Sequence, residues 1–410
     1  MFQRTLLLAL ACLGAAVASA RADVITDWNE KAVAFVKRRL PPPQAHRATA
    51  MMHVAMFDAV NSIERRYRPY LTQLPAAPAS SREAAAVAAA GTVLVSLYPA
   101  AAGELKTALD AYLATIPDGP AKVEGTKLGE AVAAKVLEAR AKDGSDAPDD
   151  YRPRTSPGVY VPTPPTLAPM WPKVKPFAMT SPSQFRPEPP ISLASEQWAA
   201  DLNEIKGYGS KTSAKRTARQ TEDARFWLMT GPQAYDPIVR QLVAARKMSL
   251  IDSARFMALT SVAAADALIA VLDAKYHYNF WRPVTAIRNG DLHGNPAVER
   301  DATWQPIDNT PMHPEYPCAH CIVASAVADV GEAVFGTADV PEFSMTSLTA
   351  PGVTHRWTNL RALSDEISEA RIWAGFHYRF SIHVGQDMGH KIGRYVVQNI
   401  MQPLNLVETR

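Results

Sequence analysis

The sequence predicts an all-α fold, with helical bundles packed into one globular domain. Three observations lead there: long segments whose apolar residues recur at helical spacing, no sustained two-residue alternation, and a concentration of proline in one stretch. Between residues 44 and 66, Ala48, Met52, Ala55, Met56 and Ala59 fall on one helical face. Ala- and Val-rich helices are expected over 81–98, 101–115 and 120–142. Thirteen of the 33 prolines then lie between Pro148 and Pro190. Each removes a backbone donor and clashes with the preceding turn, so this stretch reads as a long loop wrapped around the domain. Trp171, Phe177 and Phe185 are its apolar anchors. Helical patterning resumes over 195–208, 214–229, 236–248 and 251–280, then over 319–335 and 364–397, the last with a break near Arg379. The chain thus divides into N-terminal helices (23–147), the Pro-rich loop (148–194) and a C-terminal helical part (195–410).

The first 22 residues stand apart. Arg4 precedes an apolar run from Leu6 to Leu13, followed by small residues ending Ala18-Ser19-Ala20-Arg21-Ala22. That is the layout of a secretory signal peptide, and the run is shorter than the roughly 20 residues a membrane span needs. Cleavage is expected after Ala22, with Ala20 as the other site, so the protein is expected to be secreted or periplasmic. Losing Arg4 and Arg21 takes the net charge from +3 to +1. So even a balance gives no reason to expect nucleic acid as a partner, and no later segment reads as a membrane span. The basic stretch 206–219 reads as a solvated surface.

Cys318 and Cys321 are the cysteines left after the leader, too few for a disulfide framework. Their spacing would suit a redox pair, but zinc at this pair is not expected without a second Cys/His pair. A bond between two residues of one helical turn is expected to be strained. Cys318 is therefore expected in the wall of a pocket and not as a redox centre, either as a protonated thiol or, against that strain, tied to Cys321 in an oxidising compartment.

Three short segments carry chemistry. Lys275 and Arg282, seven residues apart, are expected on one face of a helix that Pro283 stops. Alone, two such charges are an ordinary solvated face, but Tyr276, Tyr278, Phe280 and Trp281 are too aromatic for one. In His313-Pro-Glu-Tyr-Pro-Cys318-Ala319-His320, Pro317 marks a helix start. His320 then sits in the first turn, where backbone amides form an anion site; a plain capping turn is the other reading. Third, Arg371 and His377 are six residues apart and cannot share a helix face, so Arg371 must reach along the axis or leave from a bend. A guanidinium binds tetrahedral oxyanions in a fork, and an imidazole can ligate a metal oxyanion or attack phosphorus.

In order these segments read Lys-x6-Arg-Pro, Pro-Cys-Ala-His and Arg-x5-His. The set resembles the three-part signature of the vanadium-dependent haloperoxidases and type 2 phosphatidic acid phosphatases, and residues 45–61, 171–190 and 216–227 are similar to stretches of exported bacterial haloperoxidases. The resemblance implies a helical fold and a vanadate cofactor whose site phosphate can also occupy. It casts Lys275, Arg282 and Arg371, with Cys318 and Ala319, as the oxyanion-binding set. It casts His377 as axial vanadate ligand or phosphoryl nucleophile, His320 as acid–base group, and His313 as a second histidine of the bromoperoxidase type. The implied reaction is oxidation of halide by hydrogen peroxide. The alternatives are a metal-free phosphatase acting on a phosphate ester through a phosphohistidine, or a non-catalytic oxyanion-binding relative. The sequence departs from the signature where Cys318 replaces Ser, Ala319 replaces Gly, Ala370 replaces the Ser before Arg371, and Ser381 replaces the Asp that orients the phosphatase histidine. The Ala319 change is acceptable only if the backbone there avoids positive φ.

Overall fold

A computed structural model describes residues 23–37, 39–162 and 165–404, so the leader expected at 1–22 lies outside the described residues. The described residues form thirteen α-helices and one β-hairpin. In the N-terminal half these are α1 (Val24–Val36), α2 (Pro42–Glu64), α3 (Arg82–Leu97), α4 (Ala102–Leu113) and α5 (Pro120–Arg140). After the Pro-rich loop come α6 (Glu196–Tyr208), α7 (Ala218–Phe226), α8 (Asp236–Ala245), α9 (Leu250–Tyr278) and α10 (Pro283–Arg288). Then follow α11 (Ala319–Phe335), β1 (Asp339–Ser347), β2 (Ala350–Asn359), α12 (Leu360–Trp373) and α13 (Arg379–Asn399).

Helix α9 is the axis of the molecule. It is long and apolar enough to cross a membrane, but its most apolar window is wholly buried inside the protein. A helix apolar on every side must be covered on every side. Here α2, α11 and α13 cover it. Asp266 on α9 also accepts the backbone N–H groups of Phe177, Ala178 and Met179 at 2.7–2.9 Å. That contact pins the Pro-rich loop to the core, and Trp171 and Phe177 are buried as the anchors expected of them.

Helices α11 and α13 lie nearly backbone to backbone. A methyl group at Gly389 of α13 would come within 2.4 Å of the Ile322 carbonyl of α11, so no side chain fits there. This close packing fixes the N-terminus of α11 against the entry to α13, and the candidate site forms where the two meet.

Three local differences from the sequence reading have physical causes. Helix α1, which that reading did not include, is capped by the Asp23 carboxylate accepting from the Thr26 amide and buries Ile25, Trp28 and Ala32. The hairpin was not legible because its pairing shifts register between Asp339 and Phe343, which breaks the period of two that marks a strand. Finally, α9 ends at Tyr278, where Asn279 adopts a left-handed conformation with φ 53°. Arg282 is the N-cap of α10, and Pro283 begins that helix instead of ending α9. Lys275 and Arg282 therefore do not share a helix face, contrary to expectation.

Candidate oxyanion site

His313, Ala319, His320, Arg371 and His377 line one cavity of about 400 Å³. Its remaining wall is largely apolar, with Leu228, Leu268, Leu272, Met312, Val323 and Phe376 among the lining residues. Lys275 and Arg282 sit in the layer behind, 0% and 1% exposed.

The break in chain direction after α9 turns Arg282 toward the loop that precedes α11. Its Nε donates to the His313 carbonyl at 2.9 Å and its NH1 to the Phe376 carbonyl at 3.0 Å. One guanidinium thus ties together the two segments that carry His313 and His377. Lys275 donates from Nζ to the carbonyls of Pro314 and Glu315, at 2.9 and 2.6 Å. Arg371, in the last turn of α12, donates through NH1 to the Trp227 carbonyl at 2.6 Å, while its Nε is buried with no partner. Gly375, at φ 80°, makes the bend that carries the chain from Arg371 to His377. This is the bend the six-residue spacing requires.

His377 is 1% exposed. Its Nδ1 lies 2.7 Å from Oε1 of Glu315, and its Nε2 is 3.4 Å from NH1 of Arg282. A guanidinium can only donate, so Nε2 presents its lone pair to Arg282 and the ring hydrogen sits on Nδ1, facing Glu315. Glu315 is the functional residue that the sequence reading missed. It is fully buried, also accepts the Tyr378 amide at 3.2 Å, and has burial pushing its pKa up to about 7 against the pull of Lys275 and Arg282. Its second oxygen and the Ser381 hydroxyl are both buried without an aligned partner, yet the hydroxyl is near enough to help hold the carboxylate's pKa down. A carboxylate thus contacts the His377 ring from position 315, while position 381 holds a serine.

His320 presents Nε2 to the Met229 carbonyl at 3.1 Å. A carbonyl cannot donate, so Nε2 carries the hydrogen and Nδ1 is left able to take a proton. Burial first, then the neighbouring cations, drive the pKa values of His313, His320 and His377 well below the ordinary imidazole value. The cations feel the same strain. Burial and mutual repulsion lower Arg371 to about 9, and burial lowers Arg282 to about 10 and Lys275 well below its usual value. Three buried cations face one buried carboxylate, and Arg371 holds an unused donor. An anion in the cavity would relieve both imbalances.

The cysteines take the less favoured of the two expected forms. Cys318 and Cys321 are joined in a disulfide with Cα atoms 5.4 Å apart. Cys318 is not inside the helix but is its N-cap, in an extended conformation at φ −66° and ψ 117°. That conformation turns its Cβ toward the third residue of α11, within ordinary disulfide reach. Cys318 is therefore not a free thiol, and, contrary to expectation, its sulfur does not line the cavity. Ala319 has no positive φ, so the exchange of Gly for Ala costs no backbone strain.

A family model for the second helical-bundle domain of vanadium chloroperoxidase matches residues 255–406, the span that holds Lys275, Arg282, His320, Arg371 and His377. Residues 255–406 thus belong to the vanadium chloroperoxidase second-domain family, and the chain as a whole is similar to the vanadium haloperoxidases. The vanadium chloroperoxidase of Curvularia inaequalis is 25% identical over 366 residues, covering 70% of this chain. The match takes in 60% of that enzyme's length. Among solved structures, the first bacterial vanadium-dependent iodoperoxidase superposes with a TM-score of 0.77 at 26% identity, over 93% of this chain and 96% of its own. A bacterial vanadium-dependent chloroperoxidase in its apo form superposes at 0.71 with 17% identity, over 87% of this chain and 93% of its own, a likeness of fold alone.

Proposed function

We propose that this chain is a vanadate-dependent enzyme that oxidises halide with hydrogen peroxide. The observation that carries the reading is the state of His377, a neutral imidazole with Nδ1 committed to Glu315 and an Nε2 lone pair held only by a long 3.4 Å contact from Arg282. The excess of buried positive charge and the orphaned Arg371 Nε fit a tetrahedral oxyanion. His377 Nε2 would hold vanadate, and Lys275, Arg282 and Arg371 would neutralise it. Bound vanadate would supply a Lewis-acid centre that polarises peroxide without changing oxidation state.

The remaining work falls to the protein's own groups. Glu315 holds the His377 hydrogen on Nδ1 throughout. His320 Nδ1 takes the proton that peroxide loses on entering the site and returns it to the departing oxygen. Arg371 Nε offers a donor to developing negative charge. His313, held against Arg282 at 3.0 Å, lines the cavity as a neutral imidazole beside His320 and His377. The apolar wall limits water around these groups.

Glu315 also favours a second reading, a metal-free phosphatase. Its bond to Nδ1 is what a phosphoryl nucleophile at Nε2 needs, and it offsets the lack of Asp at position 381. Parallel assays decide between the two. We expect halide oxidation that requires vanadate and is abolished by His377→Ala, with phosphate competing. Phosphate-ester hydrolysis without vanadate, and no halide oxidation with it, would establish the phosphatase. Vanadate binding with neither activity would leave a binding protein.

A further inference from the structure

We propose that Glu222, Asp223 and His355 form a zinc site outside the oxyanion cavity. Glu222 and Asp223 are adjacent on α7, and His355 is on β2. None of the three lines the cavity, and the proposal does not depend on what reaction occurs there.

The His355 ring is 2% exposed and stacks on Phe226 with centroids 4.0 Å apart and planes within 4°. Its Nδ1 is 2.8 Å from Oε1 of Glu366 on α12, a carboxylate that also receives the indole N–H groups of Trp227 and Trp357 at 2.9 and 3.0 Å. The ring hydrogen therefore belongs on Nδ1, and the Nε2 lone pair points elsewhere. It faces two more carboxylates, Oε1 of Glu222 at 3.4 Å and Oδ1 of Asp223 at 3.6 Å. Both Nε2 and that Asp223 oxygen are buried with no hydrogen-bond partner.

A lone pair aimed at two anions needs a cation between them. A proton on Nε2 would draw an oxygen in to about 2.7–2.9 Å. An ion bound at about 2.1 Å to each atom would instead hold tetrahedral ligands about 3.4 Å apart. The observed gaps match the ion. Charge points the same way. Glu222, Asp223 and Glu366 bring three negative charges, and the cation that contacts them is Arg219, exposed over 59% of its side chain. Its Nε approaches Asp223 Oδ1 to 2.8 Å without hydrogen-bond alignment, and its Nη1 donates to Glu222 Oε1 at 3.3 Å, which leaves that oxygen a further lone pair. Two negative charges remain, the balance of one divalent ion. One imidazole nitrogen, two carboxylate oxygens and a carboxylate behind the histidine suit zinc, with water as fourth ligand.

The ion would tie α7 to the hairpin. It would also bear on the cavity, because Trp227, next after α7, holds Arg371 through its carbonyl.

The test strips the full-length protein with a chelator and titrates it with zinc alone by calorimetry. We expect one equivalent bound and a raised Tm, with affinity at least tenfold lower in Glu222→Gln and Asp223→Asn. Glu222 is half-buried, so its amide variant should fold. Cobalt in place of zinc should give the intense visible absorption of a tetrahedral site, weakened in both variants. No stoichiometric zinc and no change in Tm would overturn the proposal. Equal zinc affinity in wild type and variants, or an octahedral cobalt spectrum, would overturn it as well.

Discussion

A carboxylate cut off from water must be protonated or paired, and Glu315 meets that demand with His377, the Tyr378 amide and the cations behind them. This makes Glu315 a positioning residue whose removal acts through the histidine. Glu315→Gln can hold either ring tautomer, so part of the population loses the Nε2 lone pair. We expect turnover of whichever reaction the assays establish to fall about 10- to 100-fold. Adding Ser381→Asp should recover part of the loss, since Ser381 already adjoins Glu315 from one turn beyond His377. Steady-state rates of wild type, single and double variants check this. No loss in Glu315→Gln, or no recovery in the double variant, would show that the carboxylate is structural. Sequence alone did not reveal this partner because 62 residues separate Glu315 from His377. It did reveal the need for one, in the serine at position 381.

At the scale of elements, the site is made where helices end. Asn279 stops α9, Cys318 caps α11, and Gly375 turns the chain out of α12. The disulfide staples the cap of α11 to its first turn while closing a very short loop. Chain-entropy arguments assign such a loop about 2 kcal/mol. Cys318→Ser with Cys321→Ser should therefore lower the unfolding free energy by about that amount, because the hydroxyl introduced at position 318 is itself a sound N-cap. Chemical denaturation of the two proteins under non-reducing conditions measures it. A loss above about 4 kcal/mol would mean that the bond also holds α11 against α13. Periodicity gave the bodies of these helices well, α11 to the residue. It misjudged Arg282, because seven-residue spacing looks the same whether one helix continues or a left-handed residue intervenes.

For the whole molecule, buried histidines link stability to pH. Burial lowers the pKa of His46 to about 3, against about 6.5 in an unfolded chain. Below pH 6.5 the unfolded chain binds a proton that the folded one refuses, so this contribution is present above 6.5 and lost as the pH falls toward 3. His46→Phe removes the linkage while keeping a ring against Tyr235. Relative to wild type, the variant should gain about 1.4 kcal/mol per pH unit below about 6.5. Thermal midpoints of both proteins between about pH 7.5 and about pH 5 check the sign, and a difference that stays constant would mean His46 is charged in the fold.

The sequence by itself determined the helical class, the extent of most helices, and the three motifs that carry the likeness to the vanadium haloperoxidases. Those properties reside in local periodicity and in residue types that keep a fixed spacing along the chain. Only the tertiary structure decided that Lys275 and Arg282 stand behind the cavity, that Glu315 orients His377, and that Cys318 is bonded to Cys321. It alone joined two acidic residues of α7 to a histidine of the hairpin. Each of these depends on where a side chain points after a helix ends or across a gap of many residues. Packing sets that direction, through burial and the need to pair every charge it encloses.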